Sequence, residues 1–166
     1  MMKKLILTAL FLVGFSIPVA AQNSIENLYC SDYHGNRVQI IPDSSARLIA
    51  EAGISTYGVP QIRINPMQLK DLSPNARIFA IGHVCANLTL GHLVRAVENI
   101  YDHYDRVGNA DCSAAAKLFY SGQVNKKGID AIEEEINKMS REQWSHFPGP
   151  VRVVVLNEVC ELKPMN

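Results

Sequence analysis

The segment from Ser73 to Tyr101, SPNARIFAIGHVCANLTLGHLVRAVENIY, constrains the fold more than any other part of the chain. Ser73 is a helix N-cap residue and Pro74 suits the first helical position. At about 100° per residue, Ile78, Ile81, Cys85 and Leu88 form one apolar stripe, and Phe79, Ala86, Leu90 and Val97 form a second. A helix apolar on two faces is buried at the centre of a domain. His83, Val84, Asn87 and Gly91 fall in or beside the narrow remaining sector. The segment therefore predicts a central helix over 73–101 whose one polar sector lines a cleft.

Other elements are placed around it. The β-branched runs RVQII (Arg37 to Ile41) and PQIRIN (Pro60 to Asn65) read as short strands, punctuated by Pro42, Gly58 and Pro66. SSARLIAEAG between them reads as a short helix closed by Gly53. Further helices are expected from about Asn109 or Asp111 to Gly122 and from Lys127 to Met139. The stretch GPVRVVVLNEVCEL suits a strand by its β-branched residues and a helix by Pro150 and its spaced apolar residues.

The start of the chain has the form of an export signal. MMKK is a charged leader, LILTALFLVGF is an apolar run too short to span a bilayer, and Val19 and Ala21 are small residues at cleavage offsets. Residues 1–21 are read as a signal peptide cut between Ala21 and Gln22, leaving 22–166 as one domain without a membrane span. The expected location is outside the cytoplasm, periplasmic or secreted. Sixteen basic residues balance sixteen acidic ones, and loss of Lys3 and Lys4 makes the mature chain slightly acidic. No basic field favours nucleic acid as a partner. Four cysteines, Cys30, Cys85, Cys112 and Cys160, suggest two disulfides in an exported protein, with three possible connectivities.

FAIGHVCANLTLGH resembles the active-site helix of small exported HExxH-type zinc metallopeptidases of the gluzincin kind, which reads approximately F-x-x-x-H-E-C-x-H-x-x-x-G-H. VGNADCSAA, Val107 to Ala115, resembles the E-x-x-A-D-C-x-A block of their next helix. IRINP and the late HFPGPVR…C are similar as well, so the resemblance spans Ile62 to Cys160. It implies an α+β fold: a mainly helical metallopeptidase-like core, a small N-terminal sheet, and a helical rather than stranded C-terminal stretch.

In that family two His at i and i+4 bind zinc, the Glu between them is the general base, and a Glu of the next helix completes the ligands. An Asp four residues after that Glu orients the first His from behind. Carried onto this chain, the first His is His83 and the orienting Asp is Asp111. Val84 stands at the base position, Asn87 at the second His and Val107 at the third ligand. One ligand of three remains, so no metal is expected, and His83 is at best a weak metal ligand. The resemblance thus implies a degenerate member: a catalytically inactive pseudoenzyme that binds a peptide or protein in the former substrate groove. That groove is expected along Ile62, Arg63, Ile64, His83 and Asn87, where an extended peptide adds to a strand edge.

His83 and Asp111 are expected to hydrogen-bond and brace two helices. The resemblance pairs Cys85 with Cys112, which leaves Cys30 for Cys160. Two alternatives stand beside this reading. One is a divergent metal-dependent hydrolase using His83, Asp111, with zinc, and His103 or a partner's residue. The other is a structural or assembly protein. His92, on a straight helix, points away from His83.

Overall fold

The structure, a computed structural model, describes residues 28–163. The expected signal peptide lies outside the described residues. Eight elements follow one another: strands β1 (Gln39–Pro42), β2 (Ala50–Ile54) and β3 (Pro60–Ile64), then helices α1 (Pro66–Leu69), α2 (Pro74–Thr89), α3 (Ile100–Tyr120), α4 (Lys126–Asn137) and α5 (Arg141–His146). This is an α+β arrangement with a three-stranded sheet in the order β1-β3-β2. β3 is central, parallel to β1 and antiparallel to β2. Its Ile62 and Ile64 are buried in the core with Ile49, Ala50 and the α2 residues Ile78, Phe79 and Ile81.

The segment Ala50–Ile54 is a strand, not the end of a helix. Its Ala and Glu are weak strand formers, but the register sets Ala50 opposite Ile64 and Ala52 opposite Ile62. Pairing with a β-branched central strand overrides local preference. Glu51 lies opposite Arg63 and forms an ion pair with it.

α2 begins as expected. Ser73 Oγ accepts from Ala76 N, and Pro74 occupies the first turn. It then stops far earlier than expected, at Thr89. Gly91 takes φ +69°, Gly91 N donates to Leu88 O and His92 N to Asn87 O at 3.0 Å. These two bonds are the Schellman ending, which favours Gly at the left-handed position. The loop that follows ends at Asn99, whose side chain caps α3 by accepting from Asp102 N. α3 therefore starts at Ile100, well before Asn109. Its Val107, Ala110, Asp111, Ala114, Ala115 and Leu118 are buried in a helical stripe. Small residues let α2 and α3 approach closely, for a Cβ at Gly82 would sit 3.3 Å from Ala114 Cβ.

α4 buries Ile129, Ile132 and Ile136 on one face. The C-terminal stretch is neither helix nor strand. Val154 and Leu156 are inward, but side chains of α4 replace a neighbouring strand. Asn137 exchanges two 2.8 Å hydrogen bonds with the Val154 backbone, and Glu133 accepts from Leu156 N at 2.8 Å.

The disulfides are Cys30–Cys85 and Cys112–Cys160, not Cys85–Cys112 and Cys30–Cys160. Cys85 is on the α2 stripe toward the N-terminal strap, where Val38 N also bonds Cys30 O. Cys112 follows Asp111 around α3 and meets the returning C-terminal stretch instead. Each bridge thus ties a terminal segment to a central helix, a framework that fits folding in an oxidising compartment. Among the described residues no helix is long and apolar enough to cross a membrane.

Candidate functional site

A cleft of about 470 Å³ opens beside the polar sector of α2. His83, Val84 and Asn87 of α2 line it, as do Val107 of α3 and the Pro148–Pro150 turn. The positions singled out on two helices thus share one cavity wall. A larger hollow of about 620 Å³ runs along β1, but Arg37 is the one charged residue lining it, and no imidazole does. Three histidines, His83, His92 and His103, line the first cleft.

At its base His83 is almost fully buried, and its Nδ1 lies 2.7 Å from Asp111 Oδ1. Arg152 then grips the same carboxylate with both arms, Nε to Oδ2 at 2.7 Å and Nη2 to Oδ1 at 2.6 Å. Its remaining nitrogen donates to Pro150 O at 3.0 Å and Pro148 O at 3.3 Å, and its guanidinium lies 5.4 Å from the Trp144 ring centre. Burial pushes the Asp111 carboxyl up, but the hydrogen bonds from His83 and Arg152 outweigh that and hold it below its ordinary value. The carboxylate is therefore ionised and satisfied on both oxygens. The 148–150 turn closes over this triad because Gly149 takes φ +84°. A Cβ there would sit 3.0 Å from Arg152 Nη1 and 3.4 Å from His83 Nε2.

His92 lines the same cleft, because α2 ends before it and the Schellman turn brings the chain back. On a continued helix it would point away. Asn87 is its anchor: Asn87 Nδ2 donates to His83 O at 3.1 Å, so its Oδ1 accepts from His92 Nδ1–H at 3.0 Å. Burial, with the charges of Arg106 and Arg95, lowers the His92 pKa and keeps the ring neutral. Neutral His92 with its proton on Nδ1 carries the free lone pair on Nε2. His103 is in the first turns of α3 and also lines the cleft.

Arg106 fixes the loop that carries His92. It is buried, pairs with Asp102 at 2.8 Å, and donates to the carbonyls of His92, Arg95 and Ala96 at 3.1, 2.8 and 2.6 Å. Nothing in its sequence context singled it out. Arg152 was part of the recognised HFPGPVR stretch, yet its partnership with Asp111 depends on a turn that spacing does not reveal.

The strand side of the cleft differs from expectation. Ile62, Arg63 and Ile64 are not lining residues. β3 is flanked by strands on both sides, Ile62 is fully buried, and Arg63 is engaged with Asp43 and Glu51. β2 borders the cleft instead, through Ala50, Glu51 and Ala52. Asn65 N bonds Ile49 O and Ser55 N bonds Val59 O, so in this register Ile49, Glu51, Gly53 and Ser55 face β3. Alternation in an antiparallel pair then turns the N–H and C=O groups of Ala50, Ala52 and Ile54 away from β3; Ala50 is fully buried, so the accessible edge is that of Ala52 and Ile54. Among the described residues no backbone partner takes them. Past Ala52 and Leu93 the cleft continues into a hollow of about 270 Å³ lined by Tyr33, Ile54, Pro60, Leu88 and Val94.

The residues present do not suit a catalytic zinc. Val84 and Val107 have no donor atom, and the Asn87 amide is committed to His83 and His92. Among the described residues no group of three His, Cys, Asp or Glu side chains is placed to share a metal ion. Comparison with protein-family models, curated proteins and solved structures finds no match for the chain.

Proposed function

We propose that this protein is an exported, catalytically inactive metallopeptidase-like protein that binds an extended peptide segment in the cleft beside α2. The observation that carries this reading is the unpaired outer edge of β2, where Ala52 and Ile54 border the cavity. A peptide laid there gains main-chain hydrogen bonds without chemistry at its carbonyls. The resemblance to zinc peptidases supplies the history of the groove. The apolar residues at two of its chemical positions supply the reason no hydrolysis is assigned.

Backbone methylation of the ligand tests the reading. An extended peptide probe is expected to bind the mature chain. Its analogue N-methylated at every second residue loses binding when the methyls replace the N–H groups that face β2, and keeps it in the other phase. Equal binding by both phases contradicts strand addition.

A second reading, a divergent metal-dependent hydrolase, is favoured by one observation: His83, His92 and His103 all line the cleft. Metal analysis of the purified chain separates the two. Stoichiometric zinc lost on both His83→Ala and His92→Gln supports the hydrolase and overturns the binding-only reading.

A further inference from the structure

The two ends of the cleft differ in chemistry, and the difference points to a ligand. At the end where β2 begins, the chain is closed off. Ile49 N donates to His146 O at 2.7 Å, and the Pro148–Pro150 turn forms the wall. Arg47 lines this end. Its backbone carbonyl takes bonds from Gln68 and His146, but its guanidinium has no ion pair or hydrogen bond among the described residues. The other charged lining groups have partners within the fold: Glu51 pairs with Arg63, which also holds Asp43, and Arg106 pairs with Asp102. His92 adds no positive charge at neutral pH, since burial and the neighbouring arginines lower its pKa. Among the described residues Arg47 is thus the arginine lining the cleft whose guanidinium has no carboxylate partner. At the other end, where β2 finishes, the hollow of Tyr33, Leu88 and Val94 is mostly apolar, with Leu93 and Val94 exposed at its rim; its one charged lining residue, Asp32, has its carboxylate taken by the His34 and Asn36 N–H groups and Asn36 Nδ2.

We infer that the cleft selects a peptide carrying an apolar side chain followed, about four residues toward its C-terminus, by a carboxylate. This rests on the strand-addition reading. Antiparallel pairing is the stronger geometry, so the ligand's C-terminal end meets Arg47 and its N-terminal end meets the apolar hollow. Ala50 to Ile54 spans about 14 Å at about 3.4 Å per residue, which sets the spacing. The carboxylate is a side chain or the chain terminus; both present the same group to a guanidinium.

Acetylated pentapeptides with Leu first, three Thr or Val residues, and Glu, Gln or Lys last, amidated, measure this by fluorescence anisotropy. A further probe ending in Gln with a free carboxylate separates a terminal from a side-chain acid. Against Gln-amide, Glu-amide is expected to bind about threefold tighter, and against Lys-amide about tenfold, as an exposed pair allows. Arg47→Glu, at an exposed position, is expected to reverse that order while the fold is kept. Equal binding of all probes, or an order unchanged in Arg47→Glu, overturns the charge assignment and leaves strand addition standing. Binding by no probe overturns both. A dimer in sedimentation that is lost on Ala52→Pro, with no probe bound, makes a second copy the occupant and equally overturns the inference.

Discussion

Arg152 Nε and Nη2 bind the two oxygens of Asp111 at 2.7 and 2.6 Å, in a pocket where both side chains are over nine-tenths buried. The pair joins the C-terminal stretch to α3 and, through His83, to α2. Arg152→Met removes the charge and the fork but keeps much of the volume. It is expected to lower unfolding free energy by about 3–5 kcal/mol, because a buried carboxylate is left with one partner. Urea denaturation of wild type and variant measures this, and a loss under about 1 kcal/mol would show the carboxylate relaxing to water.

The same carboxylate sets an acid limb. Its folded pKa lies below the ordinary 3.8. Its contribution is therefore fully present above that value and is lost as pH falls toward and through the lower folded value. Asp111→Asn is expected to flatten the fall of stability below about pH 4 relative to wild type. An unchanged acid limb would mean that other carboxylates govern acid unfolding.

Peptide mapping without reductant is expected to recover Cys30 joined to Cys85 and Cys112 joined to Cys160. Each bridge closes a loop of sequence separation 55 or 48, for which chain entropy gives about 4 kcal/mol. The double variant Cys112→Ser with Cys160→Ser is expected to loosen residues 147–163 and with them the Arg152 grip, read as faster amide exchange at Val154 and Leu156.

His92 is held by Asn87 and kept neutral by burial and by Arg106 and Arg95. Its folded pKa is lowered from 6.5, so the unfolded chain binds the proton more readily. Stability is intact above about pH 6.5 and is lost as pH falls from there toward the folded value. An NMR titration is expected to place His92 below the ordinary histidine value. A His92 midpoint at or above 6.5 in the wild type contradicts the description of that loop.

His83, Val84, Asn87 and Val107 line one cavity. Val84→Glu, Asn87→His and Val107→Glu together are expected to create zinc affinity, measured by calorimetry or cobalt absorption. A folded triple variant that never binds zinc would remove the metallopeptidase origin and leave the peptide cleft to stand on β2 alone.

How far the site could be read from the sequence follows from which signals are local. The two-faced apolar pattern of α2 and the Ser73–Pro74 start are local, and the structure has both. The α2 ending was equally local: Gly91 after Leu90 is the left-handed stop residue, and the apolar residues beyond it masked it. A helix continued past Gly91 would turn His92 out of the cleft. β2 was not legible, because Ala50, Glu51 and Ala52 favour helix and are held as strand by partners at Ile62 and Arg63. That error moved the free edge from β2 to β3. The disulfide pairing and the Arg152 grip depend on where two terminal segments dock, which no short-range pattern encodes.

Peptide addition to β2 engages the outward amides of Ala52 and Ile54. Assigned hydrogen exchange of these two residues, with and without the Leu-to-Glu pentapeptide, measures it. Slower exchange is expected at Ala52 and Ile54 on binding, with little change at Glu51 and Gly53, already paired to β3. Binding of the peptide with no protection at Ala52 and Ile54 would contradict strand addition.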